Sequence, residues 1–515
     1  MVTNTKRIAK NSILLYFRTF VILIVSLYAV RVTLKVLGVE DYGIYNAIGG
    51  VVALLSFMTN TLTSVSQRYF SYYLGSEEYG KLREYFNSVF LIYLLITILL
   101  VIVGESLGKY LLDHYLTIPS HRRIAAEYVY HFSILSLAFS FLTIPYNSII
   151  IAREEMGIYA YVSIIEAFLK LGVVFLLIHS DIDGLILYAI LLAVISFLKF
   201  SFYASFSAIR YPESRWMLYY DRSKLRELVG YLGWNTYGVL AAVVKNHGLV
   251  VVLNIFFGPI INAAYAIANQ IHNAINQFVS SFLLAVQPQI VKQYASEKQS
   301  EMMNLVFLSS RFSFYLLMIV AIPCYLVLPT ILDLWLGEYP DYTIRFSRLL
   351  ILNALFESLC TPLVTSIQAT GRIRAYNIVL GSLLMMTIPV CLLLVRLGAS
   401  PIPLLGVSLL FTVLGQVVRI YYMHINAGMS IKRYSTGVLL KLLIVIVVSV
   451  IPPAILSFYV PQTVLSSLLI VIISLFSSFV TIYFVGLEKK ERDVINTFFL
   501  KIIEKWKNRT VRLHV

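Results

Sequence analysis

Runs of about 20 mostly apolar residues follow one another along almost the whole chain, and that is the length an α-helix needs to cross a bilayer. Cutting the sequence at polar or Gly/Pro breaks gives about 14 such runs, starting near residues 12, 43, 86, 124, 157, 183, 227, 259, 303, 345, 375, 402, 436 and 463. Charged residues make up 13% of the chain, about half the share of an ordinary soluble protein. Backbone in hydrocarbon must find its hydrogen bonds internally, which a helix does within one segment. The expected fold class is therefore an all-α polytopic membrane protein.

The net charge of +15 raises the question of a nucleic-acid partner, and its placement answers it. Lys and Arg concentrate in alternate loops: Lys6, Arg7 and Lys10; Lys81 and Arg83; Arg153; Arg210 to Arg226; Lys292 and Lys298; Arg372 and Arg374; Lys432 and Arg433; and the tail after Glu488. That alternation is the positive-inside pattern, and it places both termini in the cytoplasm. The charge is topological, and no nucleic-acid partner is expected. MVTNTKRIAKNS, a short basic start leading straight into a full-length apolar run, reads as a signal-anchor. In the tail, Ile495, Phe498, Phe499, Ile502, Ile503 and Trp506 share one helical face, the pattern of an amphipathic helix on the inner membrane surface.

The sequence also repeats. At an offset of 220, LGVEDYGIYNAIGG falls on FGPIINAAYAIANQ, and Gly38 meets Gly258, Tyr45 meets Tyr265, Gln67 meets Gln287 and Glu77 meets Glu297. At 217, Pro145 meets Pro362, Ala152 meets Ala369 and Tyr159 meets Tyr376. Two blocks in the same order predict two six-helix lobes, residues 1–209 and 227–428, joined by a basic loop at 210–226. Two further helices at 429–487 and the tail at 488–515 complete the chain. Six is even, so both lobes enter from the same side and the pseudo-two-fold repeat is parallel.

Polar residues fall on stripes. At 100° per residue Asn262, Asn269, Asn273, Asn276, Ser280 and Gln287 lie within roughly 60° of one another, flanked by Gln270, Gln277 and His272. In the second span the same register reads Tyr42, Gly49, Ala53, Ser56, Asn60 and Gln67; the tenth carries Asn353, Glu357, Thr361 and Gln368. Two readings stay open: close helix packing through small and polar residues, or one wall of a hydrated cavity, because so many amides exceed what a dry interface satisfies.

Charges inside the spans are costly and point to function by default. Lys245 lies about 12 residues, roughly 18 Å, from the outer end of its helix, too deep to snorkel easily, with His247 nearby. Arg18 lies one to two turns inside the first span, and Arg68 ends the second beside Gln67. Glu166 and Lys170 stand at i and i+4, an orientation suited to an intrahelical pair or to a gate. Glu357 has no cation near it in sequence and is a candidate for proton coupling. Lys199 and Arg311 sit near span ends and read as unremarkable. The cationic balance suits a substrate with an anionic group such as phosphate. No G-x-x-x-x-G-K-[ST] is present, so no ATP site is expected, and no cofactor or metal motif appears. Short loops argue against a membrane polymerase or glycosyltransferase, which remains the weaker rival; no enzyme activity is expected.

LKVLGVEDYGIYNAIGGVVALLSFMTNTLTSVSQRYFSYYLG resembles the first-to-second-span signature of polysaccharide-export flippases, and FGPIINAAYAIANQ resembles the start of their second lobe. These are the Wzx-type O-antigen and capsule translocases of the multidrug/oligosaccharidyl-lipid/polysaccharide (MOP) superfamily, related to MATE transporters. The resemblance implies a bacterial plasma-membrane flippase that moves an undecaprenyl-diphosphate-linked oligosaccharide from the inner to the outer leaflet by alternating access. It implies a cationic lumen walled by helices one, two, seven and eight, which contain Arg18, Arg68, Lys245 and the Asn stripe. Sugars would bond Asn269, Asn273, Asn276, Gln277, Asn60 and Gln67, and the prenyl tail would stay among the membrane lipids. Energy would come from a proton or sodium gradient, or from substrate concentration and membrane potential; Glu166, Lys170 and Glu357, singled out above by their place in the spans, are the candidate coupling or gating groups. A MATE-like multidrug or cation antiporter is the main alternative.

Overall fold

The computed structural model describes residues 2–493 apart from Phe57, 109–117, 179–180, Leu218, Tyr220, Gln462 and Lys490, together with Asn496. Most of the amphipathic tail expected at 488–515 lies outside the described residues. Among those described no strand occurs. The helices are α1 (Val2–Ser56), α2 (Met58–Gly75), α3 (Tyr79–Ser106), α4 (Ser120–Ala152), α5 (Met156–Ile178), α6 (Gly184–Arg210) and α7 (Arg222–Ala295). They continue with α8 (Gln299–Leu326), α9 (Leu328–Leu336), α10 (Thr343–Ala369), α11 (Arg374–Arg396), α12 (Pro401–Ala427), α13 (Ile431–Tyr459) and α14 (Val464–Gly486).

Eleven helices among the described residues are long and apolar enough to cross a membrane. The expected spans starting near 12, 43 and 259 are helical but fall outside that set. Two of these three carry the polar stripes, which lower the hydropathy of their windows.

The repeat in sequence has a counterpart in the backbone. α1 and α2 run from Val2 to Gly75 and α7 from Arg222 to Ala295, so both ends recur at an offset of 220. The starts of α3 and α8, Tyr79 and Gln299, recur at the same offset. α6 and α12 match at both ends at 217. Packing recurs too: α4 packs on α6 and α10 on α12, and the apolar windows of α4 and α10 are each 67% buried.

The long helices carry the sharpest match. At about 1.5 Å per residue, the 74 residues of α7 would form a straight rod of about 110 Å, against about 30 Å of hydrocarbon. α7 breaks at Gly258 (φ 82°, ψ 178°) and α1 breaks at Gly38 (φ 79°, ψ 169°). That combination is open almost only to glycine, because a Cβ there clashes with the chain's own backbone. Beyond the first break, Arg122 bonds Asp41 at 2.6 Å and Asp183 at 2.6 Å. Asp183 in turn caps α6 through the amides of Leu185 and Ile186, so one guanidinium ties the segment after the break to the start of α6.

The chain divides into two compact units. The first comprises Met1–Val243, Ser280–Met303 and Val364–Ser382, so it takes in three stretches of the second repeat, the start of α7 up to Val243 among them. The second comprises Val244–Val279, Asn304–Leu363 and Leu383–Val515.

No neighbouring atom lies within 4 Å of where a Cβ would sit on Gly38 or Gly258, so an alanine there meets strain in the backbone alone. Gly38→Ala and Gly258→Ala should each cost about 1–3 kcal/mol. Gly230→Ala, in open space inside regular helix, should stabilise by about 0.5–1 kcal/mol. Thermal unfolding of the three variants in one detergent checks both signs.

Candidate functional site

In the first unit, α1, α4, α5 and α6 enclose a cavity of about 490 Å³. Along α5, Tyr159, Ser163, Glu166 and Lys170 follow at spacings of four, three and four, which puts them on one face, and all line the cavity. Lys170 Nζ donates to Glu166 Oε1 at 2.8 Å, as the i, i+4 spacing predicts. α6 packs against α5 and brings Lys199 Nζ to the other oxygen, Oε2, at 2.8 Å. The guanidinium of Arg18, on α1, lies over the Tyr159 ring at 4.5 Å. The cavity thus holds three cations and one carboxylate, and that carboxylate is taken by two lysines. Around them stand Tyr45, Tyr188 and Tyr203 with Ser26, Thr33 and Asn147, a lining of ring faces, hydroxyls and one amide.

Lys199 is the member that sequence reasoning passed over, because a lysine near a span end is usually interfacial. The tyrosines were missed as well, since an aromatic residue in an apolar helix is most often core. The 4-3-4 spacing on α5 was the signal available for Tyr159 and Ser163. The repeat gives a second signal: the mates of Arg18, Glu166, Lys170 and Lys199 are Gly238, Leu383, Thr387 and Gln416, none of them charged. The charged set departs from the repeat and exists only once.

Arg68 and Gln67 belong to a separate cavity of the first unit, about 240 Å³, with Thr63, Ser64, Ser71, Gln287, Thr365 and Gln368. Arg68 Nε donates to the Gln368 carbonyl at 3.1 Å, and its guanidinium lies 4.4 Å from the Tyr69 ring and 5.1 Å from that of Tyr231. Gln67 and its repeat mate Gln287 line the same space.

Lys245 belongs to the second unit. It is 4% exposed and donates to Thr412 Oγ1 at 2.6 Å. In the same unit Glu357 has His272 Nε2 at 3.1 Å on Oε2 and accepts from Asn353 Nδ2 at 2.8 Å on Oε1. Sequence had offered Glu357 no partner; the structure supplies one from α7, 85 residues away. From the polar stripe, Asn276 reaches the His272 ring at 3.1 Å, Asn269 is half-buried, and Asn273 and Gln277 are exposed. His247 is exposed, and the side chain of Asn60 lies outside the described residues. The structure therefore brings Arg18 together with Glu166 and Lys170, places Arg68 with Gln67 elsewhere in the same unit, and gathers Glu357 with Asn276 in the other.

No family model and no curated protein sequence matches the chain. Solved structures do. A MATE protein crystallised in complex with MaD3S aligns with a TM-score of 0.69 at 12% identity, covering 81% of this chain and 96% of that one. The chain has the fold of the MATE transporters. The outward-facing conformation of a multidrug resistance MATE family transporter of the MOP superfamily gives 0.69 at 12% identity, over 84% and 97%. The MATE transporter VcmN of Vibrio cholerae in its bent form gives 0.66 at 16%, over 84% and 100%. A MOP superfamily transporter from Pyrococcus furiosus, described as having a binding pocket whose reverse polarity suggests a different function, gives 0.67 at 12%, over 84% and 97%. At these identities the likeness is one of fold.

Glu166 is 20% exposed and, among the described residues, is the acid that both Lys170 and Lys199 contact. Glu166→Gln should destabilise the protein by about 1–3 kcal/mol, because it leaves Lys170 and Lys199 facing each other. Adding Lys199→Met should return part of that loss, and thermal unfolding of the two single variants and the double variant reads the coupling.

Proposed function

We propose that this chain is a secondary-type membrane transporter in which the Arg18–Lys170–Lys199 cavity takes the anionic group of an amphiphilic substrate. A lipid-linked oligosaccharide carried on a polyprenyl diphosphate fits that description best. The observation that carries the reading is the cavity's charge: three cations, with its one carboxylate already held by Lys170 and Lys199 at 2.8 Å. Diphosphate oxygens accept charge-assisted hydrogen bonds from guanidinium and ammonium groups. The tyrosine faces and hydroxyls suit sugar rings, which stack their C–H faces and bond through their hydroxyls. About 490 Å³ lies in the range of small-molecule sites and suits a headgroup with adjoining sugar, leaving the prenyl tail in lipid.

In this reading the eleven apolar helices, with the segments starting near 12, 43 and 259, make 14 spans. Twelve of them form two six-helix lobes, about 12–209 and 227–428, that rock about the substrate; two more follow at 429–487, with both termini on the cytoplasmic side of a bacterial plasma membrane. The His272–Glu357 pair is the candidate for coupling to a proton or sodium gradient.

A second reading, a MATE-like multidrug or cation antiporter, is favoured by the solved neighbours, which are MATE proteins and include a multidrug resistance transporter. Against it, the first-unit cavity offers an organic cation no unengaged carboxylate.

Reconstituted vesicles separate the two. Flipping of a fluorescent short-chain polyprenyl-diphosphate sugar should fall about tenfold in Arg18→Gln and in Lys199→Gln, the effect of losing one charge-assisted contact. A lipophilic organic cation should not be moved. Cation transport by the unaltered protein, with the diphosphate left in place, would establish the second reading instead.

A further inference from the structure

Among the described residues four other than glycine hold a left-handed backbone: Tyr342 (φ 73°), just before α10, and three glutamates that follow helices, Glu77 (φ 60°), Glu154 (φ 64°) and Glu297 (φ 59°). Glu77 and Glu297 are repeat mates. Glu154, in the turn between α4 and α5, is the mate of Gly371 (φ 75°) between α10 and α11. Such a conformation is uncommon for a side-chain-bearing residue and persists where the surroundings hold it.

Glu154 is held by charge. Its side chain is 2% exposed, and its carboxylate accepts from Lys292 and Gln289, both at the end of α7, with Arg7 Nε at 3.2 Å. Asn11 Nδ2 donates to the Glu154 carbonyl at 3.1 Å and Arg7 to the Arg153 carbonyl at 2.8 Å. So the end of α7, from the second repeat, docks on a turn of the first. The mirrored junction is also present. Arg68, near the end of α2, donates to the carbonyls of Gln368 (3.1 Å) and Ala369 (3.4 Å), immediately before the Gly371 turn. A Cβ on Gly371 would lie 2.7 Å from the Arg68 guanidinium, so the glycine admits the arginine. Here the end of a first-repeat helix docks on a turn of the second.

The two docked ends meet where Ser296 donates to the Gly75 carbonyl and where a Cβ on Gly75 would fall 2.5 Å from the Lys292 carbonyl oxygen. All these residues belong to the first compact unit, and they lie at or beside loops of the Lys- and Arg-bearing set, with Arg153, Lys292, Lys298, Arg372 and Arg374 among them. Behind them lies the cavity shared by Gln67 and Gln287. The junctions are alike in geometry and opposite in chemistry. One buries a carboxylate among cations; the other has glycine at that position and sets an arginine on neutral carbonyls.

We propose that the two junctions are a reciprocal latch that closes the basic face of the protein, and that Glu154 is its ionic key. The inference rests on the alternating-access reading, since a latch matters only if that face must open. Release of the carboxylate from Lys292 and Arg7 frees the end of α7 and exposes the Gln67–Gln287 cavity to water on that side.

The test reads accessibility without needing a substrate. In full-length protein with Cys324, Cys360 and Cys391 replaced by alanine, Thr365→Cys places a thiol on the cavity wall. A membrane-impermeant maleimide is added from the basic face. Labelling should be slow with Glu154 present and at least tenfold faster in Glu154→Gln, with Lys292→Gln as a second variant should the first fold poorly. Thr19 and Ser281 link α1 to α7 about four turns before its end, with their hydroxyl oxygens 3.0 Å apart. A disulfide between cysteines placed there should hold labelling slow even in Glu154→Gln, which separates release of the latch from general loosening. Equal labelling with and without Glu154, in variants that unfold at the parental temperature, would overturn the latch whether or not the protein moves a lipid diphosphate. Faster labelling in a protein that moves no lipid diphosphate would uphold the latch and count against the substrate reading.

Discussion

A helix that crosses a bilayer and must return has to end or break, and in this chain two of the longest do so at a backbone conformation open almost only to glycine. The breaks at Gly38 and Gly258 turn two rods, each far longer than a membrane is thick, into segments of spanning length. Contacts further along the chain depend on the first of these turns. It sets Asp41 against Arg122, and with it the start of α6 through the Asp183 cap. α6 in turn delivers Lys199 to Glu166, so the charge of the candidate site traces back to a glycine some 160 residues earlier.

The repeat supplies scaffold, and departures from it supply chemistry. Matched helix ends, matched left-handed turns and matched burial of α4 and α10 are what two copies of one folding unit should share. The charged groups are what they do not share. Arg18, Glu166, Lys170 and Lys199 face Gly238, Leu383, Thr387 and Gln416 across the repeat, while Glu357 and His272 face Ser140 and Val52. Each half therefore carries its own polar set. Charges are costly in apolar surroundings, and both sets meet that cost by pairing: Glu166 with two lysines, Glu357 with a histidine and an asparagine.

Much of this was legible in the sequence because it is local or periodic. Apolar windows gave the helices, and the two offsets gave the repeat, down to Glu77 and Glu297. The i, i+4 pair Glu166–Lys170 formed as its spacing implies. What escaped was contact between distant segments. Lys199 looks interfacial until α6 is laid on α5. Glu154 looks like a loop acid until Arg7 and Lys292 arrive from residues 147 and 138 positions away. The Asn stripe was legible as a stripe, but its members divide among exposed Asn273, half-buried Asn269, the His272 contact of Asn276 and the cavity lined by Gln287, and no periodicity distinguishes those. Sequence grouped Lys245, Arg68 and Arg18 by charge alone; the fold places them in three different surroundings.

The central claim is that the first-unit cavity is built for an anion. Equilibrium binding to purified protein in lipid nanodiscs tests it most directly, with a short-chain polyprenyl diphosphate and a lipophilic organic cation of similar size as the two probes. The account predicts saturable binding of the diphosphate, displaced by inorganic pyrophosphate and weakened by salt, and none of the cation. Saturable binding of the cation that pyrophosphate leaves untouched, with no binding of the diphosphate, would contradict it.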